Sequence, residues 1–164
     1  MKLVNFYFRK PLFWDFVISL SFALLVHKLT RKKVIEVPDH DFILSSVSDI
    51  ANISFSSTGF ILTILTVLIT FKASSRRKDK IGSYDSALDF FFQTPLYAQT
   101  TCHLKNCIKS LVVLGLVGYI FKVVTPKSST DYLFCFLIFS LFVLALTLMR
   151  CLLILSKVLA LQNK

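Results

Sequence analysis

One helical face between residues 45 and 70 carries side chains that could hydrogen-bond to water, to an ion or to another helix. These residues are small or polar and recur every three or four positions, as on a helix seam that faces a partner: Ser45, Asp49, Asn52, Ser56, Gly59, Thr63, Thr66 and Thr70. From Ser56 onward, the intervening residues are mostly Ile, Leu, Val and Phe, which is typical of a membrane helix. Because polar groups in hydrocarbon are costly without a partner, we expect this polar stripe to contact protein or water.

The polar stripe has two interpretations. In the first, small residues let two helices approach closely and hydroxyl groups bond across their interface. In the second, the residues from Asn52 to Thr70 face a central axis formed by several copies of the chain. Asp49 would then contribute to a ring of carboxylates at the outer mouth, which would favour cations. Four short helices leave little room for a pore within one monomer, so the second interpretation requires an oligomer.

Two charged residues, Asp15 and Arg150, lie within apolar segments near the two ends of the chain. An unpaired charge at depth costs about 2.5 to 3.5 kcal/mol on insertion scales, so we expect the two residues to pair if they lie at similar depth. Such a pair would be a structural salt bridge between the first and last helices. The alternatives are two charges that reach the membrane surface separately, or a charge beside a conduction path or gating contact.

The elements that must position these residues are apolar helices. The chain has 164 residues, 55% of them hydrophobic, and a mean hydropathy of +0.70. This composition predicts a single all-α membrane domain over residues 1–164, with no separate soluble domain. The predicted membrane spans cover residues 11–29, 49–71, 108–124 and 132–155. Pro95 suits the first turn of a helix that would run into the third span.

The distribution of Lys and Arg predicts the orientation. With the N-terminus in the cytoplasm, 13 of the 19 basic residues lie on the cytoplasmic side, so we expect both termini inside. Residues 72–107 would then form the main cytoplasmic segment. It begins with a basic turn, defined here as Arg76, Arg77, Lys78 and Lys80. Such a turn is suited to bind anionic lipid headgroups or a partner protein.

Signals for an enzyme are weak. The sequence has no glycine-rich phosphate loop and no nucleophile elbow, and the Cys102, His103 and Cys107 spacing is poor for zinc. A lipid-acting enzyme would have to use His103, Asp85 and Asp89, whose spacing offers no support. We therefore predict no catalytic, metal or cofactor-binding residues. Direct binding of nucleic acid is not expected either, because no soluble segment is long enough to present a groove-reading element.

Residues 59–84 resemble the second helix and basic turn of the membrane subunit of the phage lambda Rex exclusion system. The matching positions are Gly59, Ile64-Leu65, Thr70-Phe71, Ser75-Arg76 and Lys80-Ile81-x-x-Tyr84. The layout of four spans with a basic central segment is also similar, whereas the first helix and outer loop show no match. The resemblance implies a bacterial inner-membrane protein of phage defence, an ion-conducting effector controlled by a cytosolic, DNA-binding partner from the same locus. Kiwa and type VI-B CRISPR loci also use small multi-span subunits, and the sequence does not choose among these systems.

The leading hypothesis is a homo-oligomeric, pore-like protein of antiviral defence that changes membrane permeability when a cytosolic partner triggers it. Its expected partners are membrane lipids, further copies of itself and that cytosolic protein. The alternative is a non-conducting membrane sensor or scaffold that recruits a cytosolic DNA-binding effector.

Overall fold

The chain folds into four long α-helices joined by short connections. The computed structural model describes residues 11–78, Phe92 and residues 95–162, and this part of the chain contains helices and no strand. The helices are α1 (Pro11–Arg31), α2 (His40–Lys78), α3 (Pro95–Val124) and α4 (Thr130–Gln162), with a 3₁₀ turn at Lys127–Ser129 before α4. Lys80, Asp85 and Asp89 lie outside the described residues, as do the side chains of Arg76, Arg77 and Lys78.

All four helices are long and apolar enough to cross a membrane. The candidate spans are Pro11–Arg31, His40–Ala73, Tyr97–Val124 and Thr130–Ser156. Each predicted span falls within one of these helices, but the helices α2, α3 and α4 extend well beyond the predicted limits. α2 has 39 residues and is therefore about 58 Å long, roughly twice the thickness of a hydrocarbon layer. The chain is thus suited to be a multi-pass membrane protein.

The helices run alternately up and down. At the N-terminal ends of α2 and α4, His40 Nδ1 lies 3.0 Å from Thr130 Oγ1. The α1–α2 and α3–α4 connections therefore lie at the same end of the bundle, which we call the outer end after the predicted orientation. There α1 finishes with Lys33 at φ 56°, a left-handed cap in which the amides of Lys33 and Val34 donate to Thr30 and Leu29.

Helix α4 is the centre of the packing. It contacts α1, α2 and α3, whereas α1 packs mainly against α4 and α2 packs mainly against α3. Ring contacts attach α1 to α4, with centroid distances of 5.3 Å for Phe16–Phe139 and 4.3 Å for Phe22–Phe142. As a result, α1 forms one side of the molecule and the α2–α3 pair forms the other.

Glycine permits the close approach of α3 to α2. A Cβ atom built at Gly115 would lie 2.9 Å from two ring carbons of Phe55, and one at Gly118 would lie 3.4 Å from Ala51 Cβ. The ring of Phe55 can therefore cover Gly115 only because that position has no side chain. At Gly59 in α2, by contrast, an added Cβ would meet nothing within 4 Å.

This difference predicts different results for two glycine substitutions. Gly115→Ala should be less stable than Gly59→Ala by about 1 to 3 kcal/mol, because alanine favours the helix at both positions but the new methyl group at 115 must displace Phe55 or separate the helices. Gly59→Ala is the matched control and should be neutral or slightly stabilising, since alanine favours a helix and the site is open. Thermal unfolding of the detergent-solubilised variants measures both effects. Equal stability of the two variants would show that α2 and α3 are not packed this closely.

Candidate functional site

The polar stripe lies on the outside of the four-helix bundle. All eight of its residues, from Ser45 to Thr70, are exposed. The buried face of α2, which includes Ile43, Val47, Ser54 and Ile61, lies about 170° around the helix from the stripe. The stripe therefore does not pack against α1, α3 or α4 along its length. Among the described residues, no other helix of this chain lies along the stripe.

Threonine hydroxyl groups in the inner half of the stripe bond to their own helix. Thr63, Thr66 and Thr70 donate to the carbonyl oxygens of Gly59, Leu62 and Thr66, at 3.0, 2.9 and 3.0 Å respectively. This local bond satisfies the hydroxyl proton and reduces the cost of placing the group in hydrocarbon. The hydroxyl oxygens keep lone pairs that can accept a hydrogen bond or approach a cation.

At the outer end, α3 contributes polar groups next to the stripe. The hydroxyl of Tyr119 donates to Asn52 Oδ1 at 2.6 Å, and Lys122 Nζ donates to Ser48 Oγ at 2.8 Å. The Tyr119 ring also stacks on Phe55, with centroids 6.1 Å apart. These contacts fix the register of α3 against the stripe, so the outer end is built from two helices.

Asp49 lies in this outer region with an exposed carboxylate. It forms no hydrogen bond or ion pair with any other described side chain. Lys122 is bonded to Ser48, the residue directly before Asp49, and places a positive charge in the same region. The field at the outer end therefore depends on both charges, which have opposite signs.

The second candidate feature is the Asp15–Arg150 ion pair. Arg150 Nη1 donates to Asp15 Oδ2 at 2.6 Å, and each residue is only 2% exposed. Ser19, on the next turn of α1, is fully buried and donates to the backbone carbonyl of Asp15 at 2.7 Å. The pair links α1 to α4 toward the inner end, so these two helices carry complementary charges where they meet.

Sequence reasoning did not identify Tyr119, Lys122 or Ser48 as part of the site. Ser48 lies one position off the stripe, and Lys122 lies on another helix. A usable signal was the spacing on α3, where Gly115, Gly118 and Lys122 recur every three or four residues and define one face. That face meets α2, but only the register between the helices shows which α2 residues it reaches.

The remaining sequence candidates lie near one another on α3 but differ in exposure. Cys107 is buried, Cys102 is exposed and His103 is partly buried, all on α3. Among the described residues, no group of three or more His, Cys, Asp or Glu side chains is arranged to hold a metal ion. The chain matches no family model, no curated protein and no solved structure.

The ion pair predicts a strong non-additive effect. Asp15→Leu or Arg150→Met alone should destabilise the protein by about 3 to 5 kcal/mol, because each leaves the other charge buried without its partner. The double substitution should cost far less than the sum, since two apolar side chains can replace a buried pair with little loss. Unfolding of the four proteins in the same detergent gives the coupling energy. Additive losses would show that the two charges do not depend on each other.

Proposed function

We propose that the chain forms a homo-oligomeric pore in the bacterial inner membrane, in which the polar stripes of several α2 helices face a central axis. One observation carries the proposal: every residue of the stripe is exposed, on the face of α2 opposite to the one packed on the bundle. A membrane helix with a continuous polar face toward lipid is unfavourable, because hydrocarbon offers no hydrogen bonds. Association through this face gives the polar groups protein or water as neighbours instead.

Large apolar side chains on both flanks of the stripe support this arrangement. Leu62 and Ile69 are about half exposed on one flank, and Phe60, Val67 and Phe71 are similarly exposed on the other. In a ring of α2 helices, the two flanks would pack against each other between neighbouring copies. The stripe would then be directed at the axis, with water as its neighbour.

The outer end of the stripe supports selectivity for cations. In a ring, the Asp49 carboxylates would converge at the mouth, and such rings attract cations. Lys122 is bonded to Ser48, next to Asp49, and its positive charge would weaken the attraction of cations to this ring. The Asp49 carboxylates therefore make the proposed pore selective for cations, and the positive charge of Lys122 reduces this selectivity.

The resemblance of residues 59–84 to the Rex membrane subunit supports phage defence as the biological setting. In this setting a cytosolic protein, encoded at the same locus, would trigger opening. The inner end of α2, at Arg76, Arg77 and Lys78, carries the basic residues to which such a protein or anionic lipid could bind.

Conductance of the purified protein in planar bilayers tests the proposal. Asp49→Asn should lower the cation-to-anion permeability ratio and Lys122→Gln should raise it, each by about fivefold if one charge contributes about 1 kcal/mol. Thr63→Leu should reduce conductance by narrowing the path, whereas Thr63→Ser keeps the hydroxyl and should conduct like the wild type. Wild-type conductance and selectivity from Asp49→Asn and Thr63→Leu would refute the pore lining, and so would a monomeric mass in detergent.

The second candidate function is a non-conducting sensor or scaffold. The observation that favours it is the bonding of the threonine hydroxyls to their own helix, which makes the stripe tolerable to lipid without a pore. In that case no bilayer recording would show conductance, and the basic turn would carry the function.

Reversing both charges in the variant Arg76→Glu/Arg77→Glu should then abolish co-purification of the cytosolic partner while leaving expression unchanged. Retained binding would remove the basic turn from this candidate function.

A further inference from the structure

An open groove of about 460 Å³ lies between α1 and α3, over α4. Phe136, Phe139 and Val143 of α4 form its floor. Residues of α1, including Phe16, form one wall, and residues of α3 from Lys109 to Val117 form the other. No α2 residue lines this groove, so it is separate from the polar stripe.

The groove exists because α1 packs against α4 and leaves a gap to α3. Contact between Phe16 and Phe139 holds the α1 wall against the floor, with ring centroids 5.3 Å apart. Toward the outer end, Phe136 stacks on Phe121 of α3, with centroids 4.5 Å apart and an angle of 30°. This stack joins floor and wall, so the groove is bounded at its outer end by aromatic rings.

The polar residues of the groove are all at its inner end. They are Asp15, Lys109 and Ser110. The carboxylate of Asp15 is held by Arg150, whereas the exposed Lys109 forms no ion pair with a described residue. From Lys109 to Val117 the α3 wall is about 12 Å long and, beyond Ser110, apolar. The inner end of the groove therefore borders one exposed lysine that has no ion-pair partner among the described residues, and the rest of the lining along the helices is apolar.

We propose that this groove binds one anionic phospholipid, with the phosphate at Lys109 and an acyl chain along the apolar floor. Within a bilayer, a groove between membrane helices is filled by lipid chains or by another helix. The single cation at one end, at the depth where the apolar part of α3 begins, matches an amphiphile with a negative headgroup rather than an uncharged one. The groove shares no residue with the stripe, so this proposal does not depend on pore formation.

Native mass spectrometry of the full chain in detergent tests the proposal with two probes that differ only in the headgroup. Phosphatidylglycerol should bind more tightly than phosphatidylcholine with the same acyl chains. Lys109→Gln should weaken binding of phosphatidylglycerol about fivefold and leave phosphatidylcholine unchanged, because a lysine near the membrane surface contributes about that factor toward an anionic lipid. Lys127→Gln, which removes an exposed lysine at the outer end, is the matched charge control and should bind like the wild type.

A second pair of variants tests the apolar part of the site. Val117→Trp should fill the groove and weaken binding of both lipids, whereas Val123→Trp, at an α3 position that is 84% exposed and outside the groove, should not. Equal affinity for the two lipids, or an unchanged affinity in Lys109→Gln, would overturn the proposal. Unchanged lipid binding in Val117→Trp would also overturn it. A wild-type dimer that dissociates in Val117→Trp would overturn it too, because a second copy of the chain would then occupy the groove. Lys109→Gln changes an exposed side chain, so its result holds even if Val117→Trp fails to fold.

Discussion

Hydrocarbon offers no hydrogen bonds, so each polar group within a membrane span needs a partner from the protein itself or from water. The described helices meet this constraint in three ways. Serine and threonine hydroxyls such as those of Ser54 and Thr63 donate to the carbonyl one turn earlier. Asp15 and Arg150 neutralise each other between α1 and α4. Near the outer end, side chains of α3 bond to those of α2. Two sets of polar groups are left over among the described residues. One is the buried hydroxyl of Thr147 on α4, which has no hydrogen-bond partner there. The other is the outward face of α2, with its lone pairs and the Asp49 carboxylate.

Close packing of α2 and α3 is what makes the outer contacts possible. Gly115 and Gly118 bring the backbone of α3 near Phe55 and Ala51, and the next residues on the same face are Tyr119 and Lys122. At that separation, their side chains reach Asn52 and Ser48 directly. The two glycines of α3 therefore set the distance between α2 and α3, and the long side chains of Tyr119 and Lys122 set the register of the two helices. A pore lined by α2 would have this outer region held in place by α3 rather than by α2 alone.

The sequence predicted the elements better than their mutual orientation. Hydropathy located four helices because apolar composition is a local property, and Pro95 indicated the start of α3. The cost of charge in hydrocarbon made a pair of Asp15 and Arg150 one of the alternatives, and the structure contains this pair. In contrast, nothing local shows whether the stripe of α2 faces the bundle or away from it, because both the stripe and the face with Ile43 and Ile61 recur with helical period. The roles of Tyr119 and Lys122 depend on the register between two helices, which periodicity does not contain.

The position of α4 allows the stripe and the groove to act at the same time. α4 contacts α1 on one side and α2 on another, and α1 and α2 have little contact with each other among the described residues. Association through the stripe would place α2 toward the axis of an oligomer and leave the α1–α3 gap facing lipid. A phospholipid at Lys109 would then lie on the periphery, next to the α1–α4 interface that holds Asp15 and Arg150. Since Asp15 belongs both to the groove and to the ion pair, headgroup charge would act on the contact that fixes α1 to α4. In this arrangement the lipid composition can influence the stability of the assembly without reaching the path along its axis.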